Sequence, residues 1–158
     1  MKNELLKLLY RNAQYTPEDL AAMLGRPVED VKEEIRALEK QGIICGYKAV
    51  VDWDKIDGYV TAIVQLKVVP KANYGFDDIA RKIATYDKVE SIYLTSGDYD
   101  LSLTVKGKTL QEVANFVAVN LATLEAVTAT KTNFVMGRYK DMDVRLTSRK
   151  DDNRGGFI

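Results

Sequence analysis

Histidine is absent from this chain of 158 residues, and cysteine, tryptophan and proline number only one, one and three. Without imidazole there is no His-based catalytic triad, no histidine proton shuttle and none of the usual mixed zinc sites. A lone thiol, Cys45, excludes an intrachain disulfide and a thiolate metal cluster. Set in an apolar run, it is expected to be a small buried hydrophobe rather than a nucleophile. No apolar run approaches the roughly 18 residues that a membrane-spanning helix needs, so a cytoplasmic protein without a membrane partner is expected. Net charge is also missing: 23 Lys and Arg balance 23 Asp and Glu. No global field attracts nucleic acid or an acidic ligand. No nucleophile–base pair, phosphate loop or metal-ligand spacing occurs either, so no enzyme and no cofactor are expected.

What is present falls into two patterns. Residues 1–42 carry helical periodicity three times. Leu5, Leu8 and Leu9 share one face of a first helix over about Lys2–Arg11. Thr16-Pro17-Glu18-Asp19 is a helix start, with a hydroxyl cap, proline at the first helical position and acids in the first turn. Leu20, Met23 and Leu24 give that second helix its stripe before Gly25. Val28, Val31, Ile35 and Leu38 then stripe a third helix of about Val28–Gln41, stopped by Gly42. Two helices across a short glycine-bearing turn form the helix-turn-helix pattern, which also occurs in helical hairpins that never meet DNA.

After Gly42 the chain turns β-prone. Ile43–Tyr47 and Ala49–Val51 read as short strand pieces, and Trp53–Gly58 as a linker whose tryptophan staples the two halves together. Val60–Val69 alternates as a long strand. Phe76, Ile79, Ala80 and Ile83 mark a helix, and Val89–Leu94 and Leu101–Val105 are strands around a turn. Leu110, Val113, Phe116, Val117 and Leu121 mark another helix, and Val127–Met136 a last strand. The order is βαββαβ, the ferredoxin-like arrangement. Its sheet has helices on one face only, and apolar residues on both sides of strand 60–69 lead us to expect a second subunit over the other.

The order of elements and two motifs resemble the Lrp/AsnC (leucine-responsive, or feast/famine) family of transcription regulators over about residues 1–137. The first motif is Leu38-Glu39-Lys40-Gln41-Gly42-Ile43-Ile44 followed by Gly46-Tyr47. The second is Gly97-Asp98-Tyr99-Asp100-Leu101. The resemblance implies an α+β protein: an N-terminal (winged) helix-turn-helix at 1–47, a linker at 48–58, a βαββαβ ligand-binding and oligomerisation domain at 59–137, and a C-terminal extension at 138–158. It further implies double-stranded DNA as partner, a small-molecule effector, first among them an amino acid, and a homodimer able to assemble further into octamers. At three positions the chain departs from the family: Pro27 and Asp30 replace common hydroxyl residues, and Glu34 replaces a common arginine.

The candidate DNA-contacting residues are Lys2, Arg26, Lys32, Glu33, Arg36 and Lys40. Residues 27–41 hold five acids against three bases, and phosphates repel such a surface while acids can still accept from cytosine amino groups. That acidity favours an alternative function: a small-molecule-binding oligomer whose degenerate helix-turn-helix has little DNA affinity. The candidate effector residues are Thr95, Ser96, Gly97, Asp98, Tyr99 and Asp100. Asp98 or Asp100 could pair an ammonium, while backbone N–H groups near Gly97, or Thr95 and Ser96, hold a carboxylate and Tyr99 lines a pocket or packs. The same residues also suit a plain β-turn. Thr128, Thr130 and Thr132 read as a solvated strand face, and Tyr139–Asn153 as an extension that rests on a neighbouring subunit.

Overall fold

The computed structural model describes residues 2–70 and 75–146, which form two compact units, one ending at Val50 and the other beginning at Val51. The first unit is built from α1 (Lys2–Arg11), α2 (Pro17–Leu24) and α3 (Val28–Lys40). Thr16 and Asp19 close a reciprocal cap at the start of α2: the Asp19 N–H donates to the Thr16 hydroxyl at 3.1 Å, and the Thr16 N–H donates to the Asp19 carboxylate at 3.0 Å. These bonds hold the Asp19 carboxyl below its ordinary value. Leu5, Leu9, Leu20, Ala21, Val31 and Leu38 form the core, with Val28, Ile35 and Ile44 packed beside it. The apolar stripes expected of the three helices therefore meet in one cluster, apart from Met23, which stays exposed on α2. Gly42 has a φ of 68°, so the left-handed stop falls where the motif places it.

Residues 43–51 form no strand. β-prone side chains cannot make a strand without an edge to pair with, and within one chain none is offered to this segment. The expected wing is thus absent from the described residues. Cys45 is exposed, contrary to the expectation of burial, and its thiol donates to the Gly42 carbonyl at 3.0 Å. The next segment is more ordered than a linker. A single 3-10 turn spans Trp53–Lys55, and Trp53 stacks on Tyr59 with ring centroids 4.2 Å apart. Trp53 thereby packs within the second unit. Arg138 lies over the same Tyr59 ring, and its N–H donates to the Asp54 carboxylate at 3.0 Å. Burial, with Glu90 accepting its hydroxyl, pushes Tyr59 up to about 12.

The second unit contains β1 (Val60–Val68), α4 (Phe76–Ala84), β2 (Val89–Leu94), β3 (Leu101–Gly107), α5 (Leu110–Phe116) and β4 (Val127–Phe134). The sheet order is β2-β3-β1-β4, all antiparallel, as a βαββαβ chain requires. Helix α5 widens into a wider-than-α turn at Val117–Leu121, where one continuous α-helix is expected from the sequence. Ala62, Val64, Leu66 and Val68 of β1, with Leu101, Leu103 and Val105 of β3, are buried against Ile79, Ile83, Val113, Phe116 and Leu121. Register puts Thr61, Ile63 and Gln65 opposite Lys106, Thr104 and Ser102 on the other face. That face is more polar than the alternation of β1 alone suggests. Thr130 and Thr132 stand opposite Leu66 and Val64, so they rim the helix-covered side instead of forming a separate polar face. Beyond the sheet, β5 (Lys140–Asp141) and β6 (Val144–Arg145) make a small hairpin through Met142 and Asp143, both at positive φ. The rest of the expected extension, from Thr147 on, lies outside the described residues.

Gly107 shows how closely α5 packs on β3. A Cβ there would stand 2.8 Å from Cγ2 of the buried, β-branched Val113. We predict that Gly107→Ala lowers stability by about 1–3 kcal/mol, as overpacking usually does. Denaturant melts of the two proteins measure it.

Candidate functional site

Two places carry the candidate residues. On α3 the core side is Val31 and Leu38, and the outward side carries Glu29, Asp30, Glu33, Arg36, Ala37 and Lys40, all exposed. The acids of this helix are not a uniform repelling surface. Glu29 pairs with Lys32 at 2.9 Å, and Glu18 of α2 approaches the same ammonium at 3.8 Å. The Glu29 contact is the main cause that raises the Lys32 pKa. Glu39 accepts from the Tyr47 hydroxyl at 3.0 Å. Glu34 is drawn to the flank of the helix, where Arg26 donates to its Oε2 at 2.5 Å. Of the sequence candidates, Arg26 and Lys32 are thus engaged within the unit, while Glu33, Arg36 and Lys40 stand outward. The Lys2 side chain lies outside the described residues.

The second place is the β2–β3 turn. Gly97 has a φ of 142°, a conformation that side-chain-bearing residues rarely adopt. The Thr95 N–H donates to the Asp100 carbonyl at 2.8 Å, and the Thr95 hydroxyl donates to the Tyr99 carbonyl at 3.1 Å. Asp100 is bound twice to β1: its N–H donates to the Leu66 carbonyl at 3.0 Å, and its Oδ2 accepts the Val68 N–H at 2.7 Å. This bond serves the ladder where the β1–β4 register shifts between Lys67 and Val68. The carboxylate placed by sequence among the ammonium partners is therefore already holding backbone. Ser96, Gly97 and Asp98 are exposed, and Tyr99 is half-buried.

Sequence reading missed Lys67. Its ammonium donates to the Asp98 carbonyl at 3.0 Å, which puts a cation beside the turn. The signal was available, since Lys67 is the one charge in an otherwise uncharged strand. Thr128, whose hydroxyl donates to the Lys67 carbonyl at 3.3 Å, stands next to it.

A three-helix unit with a helix-turn-helix, joined to a four-stranded sheet covered on one face, defines a ligand-responsive DNA reader as a class. The family profile described as the Lrp/AsnC ligand binding domain matches residues 61–144. The uncharacterized HTH-type transcriptional regulator YugG of Bacillus subtilis is 41% identical over 155 residues, covering 97% of this chain and 93% of that protein. The leucine-responsive regulatory protein of Haemophilus influenzae is 28% identical, covering 87% of this chain and 82% of that protein. Among solved structures, LrpA of Mycobacterium tuberculosis is similar in fold with a TM-score of 0.75 at 20% identity, covering 89% of this chain and 94% of that one. Regulator NMB0573 of Neisseria meningitidis, solved as a complex with L-Met, gives a TM-score of 0.72 at 18% identity, covering 89% of this chain and 90% of that one. The chain belongs to the Lrp/AsnC family of HTH-type transcriptional regulators.

Asp100 gives a direct test of turn against ligand chemistry. Asp100→Ala leaves the Val68 N–H without its acceptor, and we predict a loss of about 1–3 kcal/mol in stability, the range for an orphaned buried donor. Asp98→Asn, at an exposed position, should leave stability unchanged. Urea unfolding of both variants decides the assignment; equal stability of Asp100→Ala and the parent would return its carboxylate to the ligand.

Proposed function

We propose that this regulator binds duplex DNA through the outward side of α3 and senses a free amino acid at the Gly97 turn, as a cytoplasmic homodimer or larger ring. One observation carries the effector reading. The exposed turn sets the Asp98 carboxylate, two hydroxyl residues and the Lys67 ammonium within one short stretch of surface. An amino acid bears one positive and one negative group, and Asp98 and Lys67 are one partner for each. The L-Met complex of the Neisseria meningitidis relative supports this ligand class. No described helix is long and apolar enough to cross a membrane, which accords with a cytoplasmic site of action. Catalysis has no part in this reading.

The domain limits we adopt are 1–47 for the reader, 48–58 for the connection, 59–137 for the effector unit and 138–158 for the extension. Pairing through residues 59–137 supplies the site with its second wall, and the polar open face of the sheet suits a wet interface more than a dry one. The degenerate-reader alternative loses some of its force, because Glu34 and Glu29 of α3 are paired by Arg26 and Lys32 while Arg36 and Lys40 stand outward.

Three measurements test the proposal. Calorimetric titration with a panel of amino acids should find a ligand whose affinity falls by about 1.5–3 kcal/mol in Lys67→Met or Asp98→Asn, the usual worth of a charged hydrogen bond. Unchanged affinity in both variants would remove the turn from the site. Light scattering should give at least a dimer, and a monomer at micromolar concentration would defeat the assembly. Arg36→Gln and Lys40→Gln should each weaken binding to DNA of mixed sequence and flatten its salt dependence by about 0.9 in log–log slope.

A further inference from the structure

We propose that Glu34 withholds Arg26 from the DNA backbone, so that this ion pair lowers the affinity of the reader by about one phosphate contact. The inference rests on the reading that α3 faces DNA. Arg26 lies in the turn just before α3, the end of a recognition helix that meets DNA in helix-turn-helix proteins. Its backbone is fixed, because its N–H donates to the Ala21 carbonyl at 3.0 Å. Only the side chain can choose a direction. The guanidinium is directed along the flank of α3 to Glu34, six residues past the start of the helix, which at 1.5 Å per residue is about 9 Å along its axis.

The surroundings strengthen that choice. The two side chains retain only 25% and 13% of their exposure, so their attraction is less screened than at an open surface. The other carboxylate oxygen, Glu34 Oε1, is buried and makes no hydrogen bond among the described residues. A carboxylate half-orphaned in this way depends on the one cation it has, since a buried charge left alone is costly. An arriving phosphate must therefore compete with Glu34 for Arg26. Exposed Glu33, one residue away, has the same charge but does not hold that guanidinium, which gives an internal control.

The test is anisotropy of a labelled duplex of mixed sequence across a potassium chloride series, using the full chain. Glu34→Asp keeps the charge but shortens the reach, and Glu34→Gln removes the charge. Both should bind several-fold tighter at low salt, with a slope steeper by about 0.9, one further phosphate engaged. Adding Arg26→Gln should abolish the whole gain of Glu34→Asp, which keeps the charge, and the extra slope of Glu34→Gln, whose remaining gain is that of charge alone. Arg26→Gln by itself leaves the parent's slope unchanged. Glu33→Gln should raise affinity through charge alone, with or without Arg26. The proposal is overturned if Arg26→Gln alone flattens the slope, because Arg26 would then already sit on phosphate. It is also overturned if the gain of Glu34→Asp, or the steeper slope of Glu34→Gln, survives Arg26→Gln. Thermal melts confirm that each variant is folded; if those of Glu34 are not, the slope of Arg26→Gln decides alone. Flat responses to Arg36→Gln and Lys40→Gln would instead refute the docking of α3 itself, and absence of any binding would refute both.

Discussion

Strand β1 is hydrogen-bonded along both edges, to β3 on one side and β4 on the other, and the second unit takes its geometry from that double pairing. A strand paired on both sides cannot slip by one residue without turning Ala62, Val64, Leu66 and Val68 out of the core. Burial and register therefore reinforce each other. The end of β1 is where the ladder is weakest, because its pairing with β4 shifts between Lys67 and Val68. Asp100 repairs that end from the opposite edge by accepting the Val68 N–H. The β2–β3 turn is thereby attached to the strand that fixes everything else, and a ligand contact at the turn would act directly on the sheet's central strand.

The first unit follows a different logic, in which charge pairing matters more than charge count. Five acids and three bases in residues 27–41 suggest a helix hostile to DNA. Three-dimensional placement changes the sum. Arg26, outside that stretch, pairs with Glu34 and brings the net from −2 to −1. Lys32, already in the count, pairs with Glu29, and Glu39 keeps its charge while accepting a tyrosine hydroxyl. What stands outward without a partner in these contacts is Asp30 and Glu33 beside Arg36 and Lys40, an even balance. The helix with its preceding turn keeps a net of −1, and in the proposed docking affinity depends on which cations face the phosphates.

Periodicity made most of the fold legible in the sequence. The stripes of α1 to α3, the alternation of β1 and the order of strands and helices all follow from where apolar side chains must go, and burial enforces that locally. Residues 43–51 were not legible, because a strand is a relation between two segments and the sequence shows only one of them. Cys45 failed with them: its apolar neighbours promised a core, but the segment packs too little to cover the thiol. Trp53 was read as joining the two units, whereas its ring stacks on Tyr59, six residues along. At the candidate site the turn itself was legible through Gly97. The duties of its carboxylates were not, since they depend on which strand end lies alongside. Lys67 was overlooked for the same reason, because a cation 31 residues from Asp98 becomes its neighbour only through the pairing of β1 with β3.

That pairing also shows how one turn could serve as scaffold and, on the proposed function, as binding surface together. Asp100 stands where the turn enters β3, and its carboxylate reaches across to the end of β1; Asp98, next to the Gly97 bend, is exposed, and its carbonyl accepts from Lys67. A carboxylate already engaged by a backbone N–H is poorly placed to be drawn to a ligand, because releasing it leaves that donor unsatisfied. An exposed one is free to respond. The division places the rigid group where the sheet needs it and leaves the exposed group where the proposed ligand would meet it. On the proposed function, a change at Asp98 alters the ligand contact and leaves the bond from the Val68 N–H to Asp100 in place.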